Sequence, residues 1–494
     1  MMSEPRRMHP AAVILNFIKG LVETVKNFII PFGVVIFLNQ SHTVKMIAIA
    51  AAVLFFIALV VTSIIKWSKF TYRIEEDELR IEEGLINKKK RYIPIERIQT
   101  INTSAGLIQQ MFKLVKLQVE TASGGTEAEV SLVAITQAEA ERIQQALFER
   151  KKAAEEAGAD VTDPLEETAE EAEETAEEPI MMYKMTGQEL LTAASTSSGI
   201  GVIISGVFAF FTQVDEFFDL DWLYDRFAFL NSAGATVIAL AAFVVLFIAW
   251  LLSIGGMLLK YANFTVVRKE KEIVISRGLI EKHQITIPLQ RIQAIKIKES
   301  LIRQPFGLAA VTIVSAGGNV LEEDKSAILF PIISKKMINQ RLGEFIPDYA
   351  PEDDLNRLPK RALRRYILRA SWPILAVVPL SILFPPWGYL SAVLIPFYWI
   401  IGYLSYRDAG WKISGSKIIM SSRFIGRTTA VIQRRRMQVF EVSRSYFQRR
   451  KQLVSIHTST KSSVLMEKFS VADVEEKDSD DIFAWYSYEK RVNG

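Results

Sequence analysis

Six stretches of the chain are apolar and free of charged side chains, and they come in pairs separated by long polar segments. The clearest, residues 46–65, holds about twenty such residues in succession, the length a helix needs to cross a bilayer core. Its companion, residues 27–38, is shorter and reaches full length only by drawing in residues back to Gly20, with Glu23 and Lys26 extending to the interface. Residues 190–212 with 235–259, and residues 370–384 with 388–404, form two further pairs. The pattern predicts three transmembrane hairpins, at 20–65, 187–259 and 366–405, each followed by a polar domain, at 66–152, 260–348 and 406–494.

Lysine and arginine orient the hairpins. Arg6, Arg7, Lys19 and Lys26 flank the start of the first span, Lys66, Lys69 and Arg73 follow the second, and Lys360, Arg361, Arg364, Arg365 and Arg369 precede the fifth. The loop after the third span instead carries Asp215, Glu216, Asp219, Asp221 and Asp225 against Arg226, and the turn between the fifth and sixth is Pro385-Pro386-Trp387. Positive flanks stay in the cytoplasm, so both termini and all three polar domains are expected there. The first residues start with charge as a signal peptide does, but Lys19 interrupts the apolar part and no cleavage is expected.

The polar domains repeat one another. From Phe70 and Phe264 onward two segments match at a constant offset of 194 residues, through Gly84/Gly278, Leu85/Leu279, Ile86/Ile280, Pro94/Pro288, Arg97-Ile98-Gln99/Arg291-Ile292-Gln293 and Phe112/Phe306. A third copy follows at a further offset of 145, where Phe424-Ile425 matches Leu279-Ile280 and Arg436-Met437-Gln438 matches Arg291-Ile292-Gln293. It has Arg423 in place of the glycine and Gln433 in place of the proline. Tyr72, Ile74, Leu79 and Ile81, then Leu114, Leu117 and Val119, follow the period of strands, with turns at Gly84 and Ser123-Gly124-Gly125. Each copy closes on a helical pattern, which in the first starts at Thr136 as N-cap with Glu139 three residues on. Several short strands and one helix predict a small barrel or paired sheet plugged by that helix.

A transmembrane hairpin followed by Gly-Leu-Ile, an Ile-Pro-x-x-Arg-Ile-Gln core and a downstream Phe-Gly-Leu resembles the bacterial pleckstrin-homology-like domains of the membrane-flanked family, and three such units in one chain are similar to its YdbT-type members. The resemblance covers nearly the whole chain apart from the linker. The full Phe306-Gly307-Leu308 stands only in copy two, with Phe112-Lys113-Leu114 in copy one. The resemblance implies an α+β fold with transmembrane helices. Its three PH-like β-barrel or sandwich domains would be seven-stranded, each with a C-terminal helix, and anchored at the cytoplasmic face of a bacterial inner membrane. It implies no enzyme, and an envelope role for which some relatives look like protective factors against membrane-active peptides.

Composition narrows the chemistry. Half of the 494 residues are hydrophobic, 23% are charged, the net charge is +4 and there is no Cys. Disulfide scaffolds, thiolate zinc sites, iron–sulfur clusters and cysteine nucleophiles are therefore excluded. His9, His42, His283 and His457 lie too far apart in sequence to read as a local pair, and no catalytic, cofactor or metal site is expected. The repeated Arg97, Arg291 and Arg436 either hold an anionic headgroup or a neighbouring chain, or bond a nearby carboxylate or carbonyl to lock the domain. Arg434, Arg435, Arg436, Arg444, Arg449, Arg450 and Lys451 form a basic cluster interrupted by Glu441 alone, which suits anionic lipid beside a membrane. No nucleic-acid motif surrounds it.

Residues 153–186, rich in Glu and Ala, read as a flexible tether, or else as a mask for the basic face of copy three. The spans carry no Asp, Glu, Lys or Arg, which argues against a coupled transporter. Small residues at helical spacing, Ser197/Gly201/Ser205, Ala235/Ala239 and Ala48/Ala52, suit close helix packing, within the chain or against a partner. The expected function is a multi-pass scaffold or adaptor binding anionic lipid or a partner membrane protein, another membrane-flanked domain protein included. An uncoupled lipid or peptide exporter is the alternative, although no GxxxxGK[ST] motif is present to drive it.

Overall fold

The computed structural model describes residues 5–23, 42–75, 78–84, 88–95, 98–121, 130–157, 180–196, 235–316, 327–352, 354–383, 387–462 and 466–487. Three apolar helices run directly into the polar domains: His42–Lys69 into Thr71, Ala235–Tyr261 into Thr265, and Leu394–Asp408 into Gly410. The first two, at 28 and 27 residues, are about 40 Å long at 1.5 Å per residue. Their last turns carry Lys66 and Lys69, Lys260, and Arg407, which complement the negative end of the helix dipole and the headgroup layer. Leu54, Phe243, Leu252, Trp372 and Ile382 project outward from such helices, an apolar surface suited to lipid rather than water. Phe243–Tyr261 and Lys360–Leu383 are each long and apolar enough to cross a membrane. The expected first span (27–38), most of the third, the acidic loop after it, and Pro385-Pro386 lie outside the described residues.

Every copy contributes six antiparallel strands in two groups of three. Copy one has β1 (Thr71–Glu75), β2 (Glu78–Glu83) and β3 (Lys89–Pro94), then β4 (Ile98–Ala105), β5 (Leu114–Thr121) and β6 (Val130–Thr136). After β7 (Met181–Lys184), copy two has β8 (Thr265–Arg268), β9 (Glu272–Arg277) and β10 (Lys282–Pro288), then β11 (Ile292–Glu299), β12 (Leu308–Ser315) and β13 (Ala327–Ser334). After β14 (Asn356–Arg357), copy three has β15 (Gly410–Ser414), β16 (Lys417–Arg423) and β17 (Arg427–Gln433), then β18 (Met437–Ser443), β19 (Leu453–Thr460) and β20 (Glu467–Glu475). The helices Gln137–Ala157, Ile338–Phe345 and Glu476–Ser487 close the copies, and Glu139 N–H donates to Thr136 Oγ1 (3.3 Å) at the predicted cap.

The sheets do not stop at the domain boundaries. They run β1-β2-β3, then β6-β5-β4-β10-β9-β8-β7, then β13-β12-β11-β17-β16-β15-β14, then β18-β19-β20. The second half-sheet of one copy is thus continuous with the first half-sheet of the next. A further strand of each later copy comes from before the apolar helix that leads into it: β7 pairs with β8, β14 with β15, and in copy one a bridge from Arg6 to Tyr72 takes the same place. This corrects the tether read at 153–186, whose end holds β7 and whose start continues the helix Gln137–Ala157. A four-residue strand is too short to register as alternation against the Glu/Ala composition before it. Residues 158–179 and the turn at Ser123-Gly124-Gly125 lie outside the described residues.

Three cores result, and the junction between copies two and three serves two of them. Tyr72, Leu79, Leu117, Leu132 and Ile143 pack in copy one. Ile273, Ile295, Val311 and Phe345 pack in copy two together with Ile419 and Val431 from copy three. Conversely Ala294 and Val314 of copy two join the core of copy three with Ile418, Ile432 and Ile456. Buried on both faces, β11 loses the alternation of a half-exposed strand, and Lys296 is enclosed with Glu467 at 3.0 Å as its partner.

The motif glycines have conformational causes. Gly84 and Gly278 hold φ of 100° and 104°, and a Cβ on Gly278 would sit 1.9 Å from the Glu281 carbonyl oxygen. Gly307 holds φ 62°, and its counterparts Lys113 and Gln452 keep the left-handed conformation at 53° and 51° without being glycine. The turn is therefore imposed by the fold, and the glycine of Phe-Gly-Leu is the least strained way of making it.

Candidate functional site, a basic and aromatic rim at the helix exits

In copies two and three, two turns of the PH-like domain are bonded to the helices that precede it. The turn bearing Gly-Leu-Ile joins the second and third strands. In copy two the Gly278 and Leu279 N–H groups donate to the carbonyls of Ala262 (2.8 Å) and Leu259 (3.0 Å), bonding it to the exit of helix Ala235–Tyr261. In copy three Arg423 replaces the glycine, and its Nε donates to Asp408 Oδ2 at 2.6 Å at the exit of helix Leu394–Asp408. Both residues are buried, so an ion pair anchors there what main-chain bonds anchor in copy two.

The second turn joins the fourth and fifth strands through Leu107–Met111, Gln304–Phe306 or Tyr446–Arg449. One inward position recurs as Gln109, Arg303 and Gln448, all buried. Arg303 donates to Thr196 Oγ1 (3.1 Å), Pro331 O (3.0 Å) and Ala193 O (3.3 Å), tying the turn to helix Gly187–Ser195. Burial pulls its guanidinium pKa below the ordinary value. Gln448 Nε2 donates to Asp473 Oδ1 (3.0 Å), which also accepts from Arg365 Nε (2.6 Å), while Asp473 Oδ2 accepts from Arg369. Arg365 and Arg369 lie on helix Leu363–Ala370, so this buried carboxylate fastens copy three to that helix.

The outward side chains of both turns are apolar. Leu107, Met111 and Phe112 stand beside Leu279 and Ile280, because Gln110 Nε2 donates to Ile280 O at 2.6 Å. Leu301, Ile302 and Phe306 stand beside Phe424 and Ile425, because Arg423 donates to Gln304 Oε1 at 2.6 Å. Tyr446 and Phe447, 65% and 69% exposed, end the series. They are next to Arg449, Arg450 and Lys451, all exposed; the Arg450 guanidinium lies 5.1 Å from the Tyr446 ring centre, and none of the three forms an ion pair among the described residues. Exposed aromatic rings adjoining free cations suit the headgroup layer, where one end of the surface is apolar and the other wet.

The rest of the predicted cluster is held by the protein itself. Arg444 makes a two-pronged pair with Glu476 (2.5 and 3.0 Å). Arg434 stacks 5.5 Å from the Trp485 ring centre, and Arg435 donates to Gln433 Oε1 (2.7 Å) with Asp348 at 3.7 Å. Of the repeated arginines, Arg291 donates to the Ile98 carbonyl of copy one (3.3 Å) and Arg436 to the Gln290 carbonyl of copy two, so each reaches back to the preceding domain. Arg97 lies outside the described residues. Tyr446 and Phe447 were absent from the sequence-based candidates; their signal is an aromatic pair set between Arg444 and Arg449. A groove over the shorter junction of copies one and two is lined by polar side chains such as Gln110, Glu141, Arg277 and His283 together with Phe112 and Val115. Among the described residues no group of three His, Asp or Glu side chains is arranged to hold a metal ion.

Half-sheets closed by a helix, repeated three times behind apolar helices, define a membrane-anchored array of PH-like domains. The bacterial PH domain family matches at residues 21–151, 225–340 and 370–490, and the chain belongs to that family. It is 53% identical, over 99% of both chains, to the UPF0699 transmembrane protein YdbT of Bacillus subtilis (strain 168). A membrane location follows from that likeness together with the outward-facing apolar helices.

Proposed function

We propose that the chain is a non-enzymatic, multi-pass scaffold of the bacterial inner membrane. Three hairpins hold its PH-like domains against the cytoplasmic leaflet, where copy three engages anionic lipid headgroups. The observation that carries this reading is the tip at Tyr446 and Phe447 with Arg449, Arg450 and Lys451, fastened to the third hairpin through Gln448, Asp473 and Arg369. Each Lys or Arg close to an anionic leaflet contributes about 1 kcal/mol, screened by salt, and the two rings add apolar burial. The cations already committed inside the domain, Arg436 and Arg444 among them, brace its structure rather than the lipid contact.

The native chain lacks Cys, so Phe447→Cys carrying a fluorophore reports on this tip alone in the full-length protein. In bilayers containing phosphatidylglycerol, lipids with a quencher near the headgroup should quench it, and quenching should fall on adding salt or on changing Arg449, Arg450 and Lys451 to Ala. Equal quenching in phosphatidylcholine would remove the anionic-lipid reading. For the topology, a reporter active only outside the cytoplasm should be silent when fused after Lys152 and active near Asp219; the reverse pattern overturns the orientation. For the defence context implied by the family resemblance, a deletion strain should become sensitive to pore-forming peptides with unchanged peptide accumulation. Raised accumulation would favour export instead.

A further inference from the structure

The two junctions between copies share one register, over three residue pairs between copies one and two and six between copies two and three. β4 meets β10 with Ala105 opposite Lys282, and β11 meets β17 with Glu299 opposite Arg427. Glu299 is the copy-two counterpart of Ala105, and Arg427 the copy-three counterpart of Lys282, so the register is the same. Such an arrangement is head-to-tail and leaves two ends: β3 and β18 are outer strands of their three-stranded sheets. Positions covered at the internal junction are open at these ends. Ala294 and Ile297 are 0% and 5% exposed, whereas their counterparts Val439 and Val442 are 44% and 41%. Val431 is 0% exposed and its counterpart Tyr92 is 53%.

We propose that β18 of one molecule pairs with β3 of a second copy of this chain, in the register of the internal junctions. Val439 then faces Ile93, Phe440 faces Tyr92, Glu441 faces Arg91 and Val442 faces Lys90, as Ala294, Ile295, Lys296 and Ile297 face Ile432, Val431, Ala430 and Thr429. The charges agree with this choice. β3 reads Lys89-Lys90-Arg91, of which Lys90 and Arg91 pair with Glu82 and Glu83 of β2 (3.1 and 3.2 Å), and Glu441, the one charged residue of β18, would join Arg91 as a second carboxylate. Arg444, which falls opposite Lys88, is already neutralised by Glu476. With Lys90 and Arg91 offset by Glu82 and Glu83, Lys88 and Lys89 still leave this edge net positive, which disfavours a second β3. A heterologous contact of this kind builds a ring or an open row.

Two single variants of the full-length protein, Val442→Cys and Lys90→Cys with different tags, are co-expressed in one membrane and oxidised. Facing residues in an antiparallel pair have Cα atoms about 4.5–5.5 Å apart, within disulfide reach. A heterodimer band is expected, and a ladder or a closed ring from the molecule carrying both changes. Val442→Cys with Arg91→Cys, whose side chains emerge on opposite faces of the sheet, should give no band. Adding Glu441→Lys to the first variant should abolish the heterodimer, and adding Arg91→Glu to the second should restore it. Absence of the heterodimer while both cysteines react with a maleimide would overturn the proposal. So would an equally strong homodimer of Val442→Cys alone, which would mean that β18 pairs with itself.

Discussion

Asp473→Ala tests how firmly the third domain is held to helix Leu363–Ala370. The carboxylate is fully buried at φ 60° and accepts from Arg365, Arg369 and Gln448. Breaking a buried ion pair by removing one partner costs about 3–5 kcal/mol, because the other charge stays enclosed. Here the Arg365 and Arg369 side chains are 22% and 50% exposed and regain water, which moves their share toward the ~1 kcal/mol or less of an exposed pair. Gln448 is buried and loses a bond worth about 1 kcal/mol. The expected loss is about 3 kcal/mol for Ala and roughly half of that for Asn, which keeps one acceptor and tolerates the left-handed backbone. Hydrogen exchange of the detergent-purified protein reads this locally, as faster exchange in Glu467–Glu475 and Leu363–Ala370 with copy one unaffected. Arg365→Ala combined with Asp473→Ala should be clearly non-additive. Unchanged protection in both segments of Asp473→Ala would refute the reasoning.

Three other outcomes follow from single contacts. Gly278→Ala should lower the melting temperature, because its Cβ meets the Glu281 carbonyl at a φ of 104°, whereas Gln452→Gly should be neutral or mildly stabilising since it relieves a φ of 51°. Glu467→Ala should destabilise the junction of copies two and three by about 2–4 kcal/mol by stranding buried Lys296, while Lys296→Met combined with Glu467→Ala should recover most of it, both read by urea unfolding. Glu352 is held below the usual carboxylate range, first by the hydrogen bond from Lys412 and then by that from Ser414. Its contribution is present above the unfolded pKa and is lost as pH falls through the lower folded one, so the melting temperatures of wild type and Glu352→Gln should converge only on the acid side of the ordinary glutamate pKa.

Much of this protein is local in origin and therefore legible in the chain. Apolar runs of span length, strand alternation at Tyr72, Ile74, Leu79 and Ile81, the cap at Thr136 and the glycines at 84 and 278 each report a neighbourhood of a few residues. The triplication was legible too, because equal folds keep equal residues at equal spacing. Which strands meet was not. The pairing of β4 with β10 and of β11 with β17 is set by edges far apart in sequence, and β7 and β14 are too short for any period to show. The basic residues divide in the same way. Sequence counts Arg436, Arg444 and Arg449 alike as cations near a membrane, yet the fold engages the first with a neighbouring domain's carbonyl and the second with Glu476, leaving the third exposed beside Tyr446 and Phe447. Charge is a property of the residue, whereas a partner within 3 Å is a property of the packed chain, and only tertiary structure decides which cations stay exposed.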